Sequence, residues 1–163
     1  MSTKEAQTKI ANPDLQNEDM LELVGSLNQL LAEYSVVYQK LRNFHWNVVG
    51  GEFYDVHEKL EEEYLAGAEH IDEIAERVRV LGFKPLSTMA AFLEHSGIKE
   101  TNEDLKAEDM IKMIISDYKH MIKTMGATVE HALEQKDYGT DFMVRNMIIR
   151  TEEKIWMFQS FVK

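Results

Sequence analysis

From Met20 to Leu41 the apolar residues Met20, Leu23, Val24, Leu27, Leu30, Leu31, Tyr34, Val37, Tyr38 and Leu41 return every three or four positions. That is the repeat of one face of an α-helix. The pattern predicts a helix from about Asn17 to about Trp46. It is stopped by Gly50-Gly51, because glycine readily takes the left-handed conformation at which helices end. A second helix is expected over Phe53 to Val80, closed by Gly82 and Pro85. Residues 86 to 99 are long for a helix connection, and Thr88 to Glu94 reads as a short helix within them. Thr101 or Asn102 is suited to cap a third helix, with Asp104 in its first turn, reaching about Gln135. A fourth helix is expected from about Thr140 to Val162.

Four helices of about 25 residues each, with short outer connections and a long middle one that carries a short helix, specify an all-α four-helix bundle. One long crossover is the ferritin-like connectivity. The composition agrees, since only 8 Gly and 2 Pro interrupt 163 residues. One core serves chains of up to roughly 250 residues, so residues 18–163 are expected to form one domain behind a flexible tail at 1–17. The absence of cysteine excludes disulfides and thiolate ligands and points to a reducing compartment. The N-terminal stretch lacks the apolar core of a signal peptide, and no apolar run reaches the roughly 18 residues of a membrane span. A cytoplasmic protein without membrane contact is expected. A net charge of -11 disfavours nucleic acid and anionic lipid and favours cations.

The chemistry is concentrated between His45 and Glu76. His57 and Glu61, four apart on the second helix, project from one face and can hold one cation together. Imidazole with carboxylate suits iron, zinc or manganese rather than calcium. Asp72 and Glu76 repeat the spacing. At 1.5 Å per residue His57 stands about 22 Å from Asp72, so the two pairs of one chain cannot share a metal. Two such helices packed antiparallel about a two-fold axis would bring the pairs of opposite chains together. The axis would pass near Ala66-Gly67-Ala68, whose small side chains would let two backbones approach, predicting an isologous dimer. Acidic runs such as Glu61-Glu62-Glu63 also suit a solvated helix face. His45 stands at the end of the first helix, and spacing alone does not show whether it adds a second imidazole.

His45-Trp46-Asn47-Val48-Val49-Gly50, followed by Val56-His57 and Glu61, resembles the first signature of the Dps family of mini-ferritins. Ile71-Asp72-Glu73-Ile74-Ala75-Glu76-Arg77 with Leu81-Gly82 and Pro85 resembles the second. The resemblance implies a hollow homo-dodecamer with ferroxidase activity. It would oxidise Fe(II), typically with hydrogen peroxide, otherwise oxygen, and store the ferric product. It assigns His45, His57 and Glu61 to one subunit and Asp72 and Glu76 to its dyad mate. Position 61 is more often Asp in that family, and the longer Glu arm bears on the spacing of a second iron. Trp46 would stand beside the iron and intercept stray oxidising equivalents, the alternative being a core aromatic. Glu58, Glu62 and Glu63 would nucleate mineral if their face lines the cavity. Asp137 and Asp141 resemble the acidic lining of three-fold pores that admit iron, although Asp141 also suits a helix start.

Four other histidines, His70, His95, His120 and His131, read as surface or packing residues. Met110, Met113, Met121 and Met125 read as core, and Trp156, Met157 and Phe158 as packing. Glu-x-x-His, the motif of sites inside one subunit's bundle, is absent. DNA binding is expected to be weak. Residues 1–19 set Lys4 and Lys9 against Glu5, Asp14, Glu18 and Asp19, and no basic tail follows Phe161. The alternative function is a DNA-compacting stress protein in which metal chemistry is secondary.

Overall fold

The computed structural model describes residues 20–163, so the tail expected at 1–17 and the first residues of the expected first helix lie outside the described residues. The elements are α1 (Leu21–Asn47), α2 (Phe53–Val80), α3 (Met89–His95), α4 (Ala107–Glu134) and α5 (Tyr138–Phe161). They form the expected all-α bundle, α1 packing on α2, α3 and α4, and α4 on α5. On α2 the buried residues Val56, Leu60, Glu63, Gly67, Ile74 and Val78 repeat at three and four, and Thr140, Val144, Met147, Thr151, Ile155 and Phe158 do the same on α5. These stripes close over Leu23, Leu27, Leu30, Leu41 and Phe44 of α1 and Ile111, Ile114, Met121 and Met125 of α4. Met110, Met121 and Met125 are buried and Met113 partly so.

The helix ends follow from local chemistry. Gly82, at φ +86°, ends α2, and the Phe83 amide donates back to the Val78 carbonyl at 3.1 Å. Thr88 caps α3 by accepting from the Ala91 amide at 3.2 Å. Asp137 caps α5 by accepting from the Thr140 amide at 3.2 Å, so this helix starts two residues before Thr140. The expected cap of the third long helix is corrected. α4 begins at Ala107, and Lys106 makes no side-chain cap bond. Thr101 instead accepts from the Glu103 amide at 3.2 Å, and its carbonyl accepts from Asn43 Nδ2 at 2.9 Å. These bonds hold the end of the crossover extended until Leu105 and Ala107 reach the core. Trp156 and Met157 are also corrected: both are exposed, and only Phe158 packs inside.

Charged groups inside the bundle are matched by cations or by several donors. Glu63 is buried, accepts from the Tyr118 hydroxyl at 2.8 Å, and pairs with Lys154 at 2.9 Å and Lys59 at 3.4 Å. Lys40 and Asp117 pair at 2.6 Å. Glu33 Oε1 accepts from Gln29, His120 and Thr124, whereas its Oε2 is buried without a hydrogen-bond partner among the described residues. Leu86 donates its amide to Asn28 Oδ1 at 3.0 Å, which pins the crossover to α1.

Burial pushes the pKa of Tyr34 and Tyr118 up from the ordinary 10.0, and the Glu63 carboxylate adds to the shift in both. A raised folded-state value stabilises the fold fully below 10.0, and that contribution is lost as pH rises through the folded value. Urea unfolding is therefore expected to show stability falling above about pH 10, by up to about 1.4 kcal/mol per pH unit for each phenol. Tyr34→Phe should flatten that slope.

Candidate metal centre

α1 ends and α2 begins on either side of a five-residue reversal, residues 48–52, in which Gly50 takes φ +116°. The reversal sets His45, buried at the end of α1, against His57 in the second turn of α2. Their rings stack at 3.7 Å between centroids, 20° from parallel. His45 Nδ1 lies 2.8 Å from the His57 carbonyl oxygen, and His57 Nδ1 lies 2.8 Å from the His45 carbonyl oxygen. A carbonyl only accepts, so each Nδ1 carries the proton and donates, and each neutral ring keeps a lone pair on Nε2 for a metal. Phe53 stacks on His57 at 4.8 Å and Tyr64 stands edge-on to His45 at 5.3 Å, fixing both rings from the sides.

Glu61, one turn beyond His57 and exposed, completes the cluster. Among the described residues His45, His57 and Glu61 are the one group of three such side chains whose ligand atoms all lie within 4.8 Å of one another. The Tyr64 hydroxyl donates to Glu61 Oε1 at 3.3 Å, which leaves Oε2 for a cation. Two neutral imidazoles and one carboxylate, open to solvent on one side, suit a divalent transition metal with free coordination positions.

Asp72 and Glu76 are exposed on α2 and do not join this cluster within the protomer. They share the outward side of α2 with Glu61, Leu65 and Ala68, all exposed. Among the described residues Glu61, Asp72 and Glu76 form no ion pair, whereas their neighbour Glu62 is held by Lys59 at 2.9 Å. The face thus presents two groups of carboxylates without cationic partners among the described residues. Gly67 is a correction to the small-residue crossing. It is buried and turned toward α1, where an added Cβ would meet Tyr38 Cδ2 at an ordinary 3.9 Å. Of Ala66-Gly67-Ala68 only Ala68 is fully on the outward face.

The remaining candidates are dispersed. Trp46 is 57% exposed, so it is no core aromatic of its own protomer, and the Arg42 guanidinium lies over its ring at 4.7 Å. Glu58 and Glu62 are exposed, but Glu63 points into the bundle, away from any mineral surface. Asp137 is taken up by the α5 cap and by Arg77, whose Nη2 stands 2.5 Å from its Oδ1. Asp141 pairs with Arg145 at 2.6 Å. His120 packs on Glu33 and His70 stands 3.5 Å from Glu73. Tyr64, Phe53 and Arg42 were not singled out by motif or spacing to a ligand, although Tyr64 stands at the helical interval of three from Glu61.

The sequence matches the Ferritin-like domain family over residues 24–163. It is 38% identical to the DNA protection during starvation protein 2 of Bacillus anthracis over 141 residues, 86% of this chain and 97% of that one. The crystal structure of a Dps protein from Bacillus brevis superposes with a TM-score of 0.88 at 34% identity, covering 91% of this chain and 99% of that one. The Vibrio cholerae O1 Dps protein, described as a member of a broad superfamily of ferritin-like diiron-carboxylate proteins, gives 0.88 at 29% identity, over 94% and 100%.

Nitrogen NMR of the two imidazoles is expected to report the Nδ1-protonated tautomer for both, and His57→Ala to weaken Co(II) binding by at least about tenfold. Gly67→Ala should stabilise α2 by about 0.5–1 kcal/mol in thermal unfolding without lowering the native mass. A loss of native mass would return Gly67 to the subunit crossing.

Proposed function

The chain belongs to the Dps family of mini-ferritins, within the ferritin-like superfamily, and on that footing we propose that it is a ferroxidase that oxidises Fe(II) and stores the ferric product. Iron is here substrate and cargo. The observation that carries the reading is the His45–His57 pair, locked by reciprocal Nδ1–carbonyl bonds that leave both Nε2 atoms unused, in one cluster with Glu61. His45, His57 and Glu61 of one subunit would bind Fe(II), and Asp72 and Glu76 of its two-fold mate would complete the centre. Twelve chains would close as a hollow cytoplasmic shell, the site lying at each dimer interface.

The donor set explains the direction of the reaction. Imidazoles hold Fe(II), and carboxylate oxygens favour the harder Fe(III) product. Two Fe(II) give one electron each to one hydrogen peroxide, and with two protons the products are two Fe(III) and two waters. Both electrons are used in one place, so no hydroxyl radical is released. The Tyr64 hydroxyl on Glu61 steadies a carboxylate arm one methylene longer than that of an aspartate. An acidic entry pore would be lined by Asp137 and Asp141, each held by an arginine of its own protomer, Arg77 and Arg145, and Glu58 and Glu62 would face the mineral.

Relatives carry DNA protection in their names. At -11 per chain, twelve copies carry roughly -130, which opposes approach to a duplex. Protection would come from removing Fe(II) and peroxide together rather than from coating DNA.

The half-sites make a sharp test. His57→Ala and Asp72→Ala are each expected to lose most peroxide-driven Fe(II) oxidation. Disassembled and reassembled together, the two variants should recover activity that neither has alone, because each mixed dimer holds one intact site of two. Wild-type rates in the His57→Ala, Asp72→Ala double variant would remove the assignment.

A further inference from the structure

The buried carboxylates of the bundle are not matched alike. Glu63 has two lysines and Asp117 has Lys40. Glu33, fully buried on α1, has neither lysine nor arginine as an ion-pair partner among the described residues. Its Oε1 takes three donors, Gln29 Nε2 at 3.0 Å, His120 Nε2 at 3.1 Å and Thr124 Oγ1 at 3.1 Å, while its Oε2 has none among the described residues. A carboxylate out of water needs its charge and both its oxygens matched, and donors gathered on one oxygen leave the other bare.

The surroundings favour a cation. His120, on α4, stands between Glu33 and a cavity of about 370 Å³ beneath residues 97–103 of the crossover. In the cavity wall Lys40 and Asp117 cancel each other, so Lys99 alone is set against Glu100 and Glu103 there and Glu33 behind them. With His120 neutral, one lysine against three carboxylates leaves the deficit that one divalent ion fills. The spacing fits as well. Two donor atoms on one such ion, each at about 2.0–2.2 Å, stand about 2.9–3.4 Å apart at bond angles of about 90–110°. His120 Nε2 and Glu33 Oε1 are already 3.1 Å apart. Gly97 keeps the approach open, because an added Cβ would clash with His120 Nε2 and stand 3.1 Å from Glu33 Oε1.

We propose that Glu33 and His120 form a second cation site, for a divalent transition metal ion that takes the place of the proton His120 shares with Glu33. Imidazole with carboxylate selects such an ion over calcium or magnesium. The His120 ring then keeps its proton on Nδ1, and the ion, seated against the carboxylate, supplies what Oε2 lacks. Water from the cavity fills the remaining positions, so the ion exchanges with solvent rather than being locked in. Glu33 lies twelve residues before His45 on α1, about 18 Å along the helix. The site is therefore separate from the His45–His57 cluster and does not rest on the ferroxidase reading.

The experiment uses the assembled full-length protein carrying His57→Ala and Asp72→Ala, which disable the first cluster. The metal-free protein is titrated with Co(II), followed by visible absorption and equilibrium dialysis, and then with competing Zn(II). Bound Co(II) that Zn(II) displaces is expected. Adding His120→Gln, which keeps a donor for Glu33, or Gly97→Ala should weaken binding at least about tenfold. Crystals of wild-type protein loaded with Zn(II) should show an anomalous peak between Glu33 and His120. No Co(II) bound in the starting variant, or binding left unchanged by His120→Gln, overturns the site. Where a variant does not assemble, the Zn(II) crystals decide, and no anomalous peak at Glu33 and His120 overturns it equally.

Discussion

The tight reversal between α1 and α2 is the constraint on which the functional face of this protein depends. Two long helices docked through Leu27, Leu41, Leu60 and Ile74 cannot slide, and residues 48–52 allow little freedom in register. His45 and His57 therefore meet at the same height, each closing a hydrogen bond on the other's backbone. Those bonds serve the fold and the chemistry at once. They satisfy a carbonyl on each helix, and they select the tautomer that leaves Nε2 able to bind a cation.

Charge is sorted between the inside and the outside of the bundle by the cost of burial. A carboxylate removed from water costs several kcal/mol unless it is paired and hydrogen-bonded. Glu63 accordingly has Lys154, Lys59 and Tyr118, and Asp117 has Lys40. With lysines in place these interior acids are poor hosts for a metal ion. On the outward face of α2, solvent removes that requirement, and Glu61, Asp72 and Glu76 stand without cationic partners among the described residues. The anionic potential is thus concentrated on the face that a second chain would cover, which is why the proposed centre belongs to a pair of subunits.

Much of this was legible in one dimension because it depends on short-range spacing. The bounds of α2, Phe53–Val80, follow from Gly50-Gly51 and Gly82-Phe83-Lys84-Pro85, since chain reversal is a local property of those residues. The pairing of His57 with Glu61 follows from helical pitch. The start of α4 did not follow, because Thr101 found a competing turn and Asn43, fifty-eight residues away in sequence, claimed its carbonyl. Glu63 read like its neighbours Glu61 and Glu62. Its burial was decided by Tyr118 and Lys154, which come from other helices.

The sequence by itself determined the four long helices, the crossover and the two four-apart pairs on α2, His57 with Glu61 and Asp72 with Glu76, because period, glycine placement and rise per residue are properties of a single helix. Only the tertiary structure decided that the His45 and His57 rings stack with each Nδ1 on the other's carbonyl, and that Gly67 is buried against α1. Each of these depends on which helix comes to lie alongside which, and packing over a distance in sequence carries no local signature.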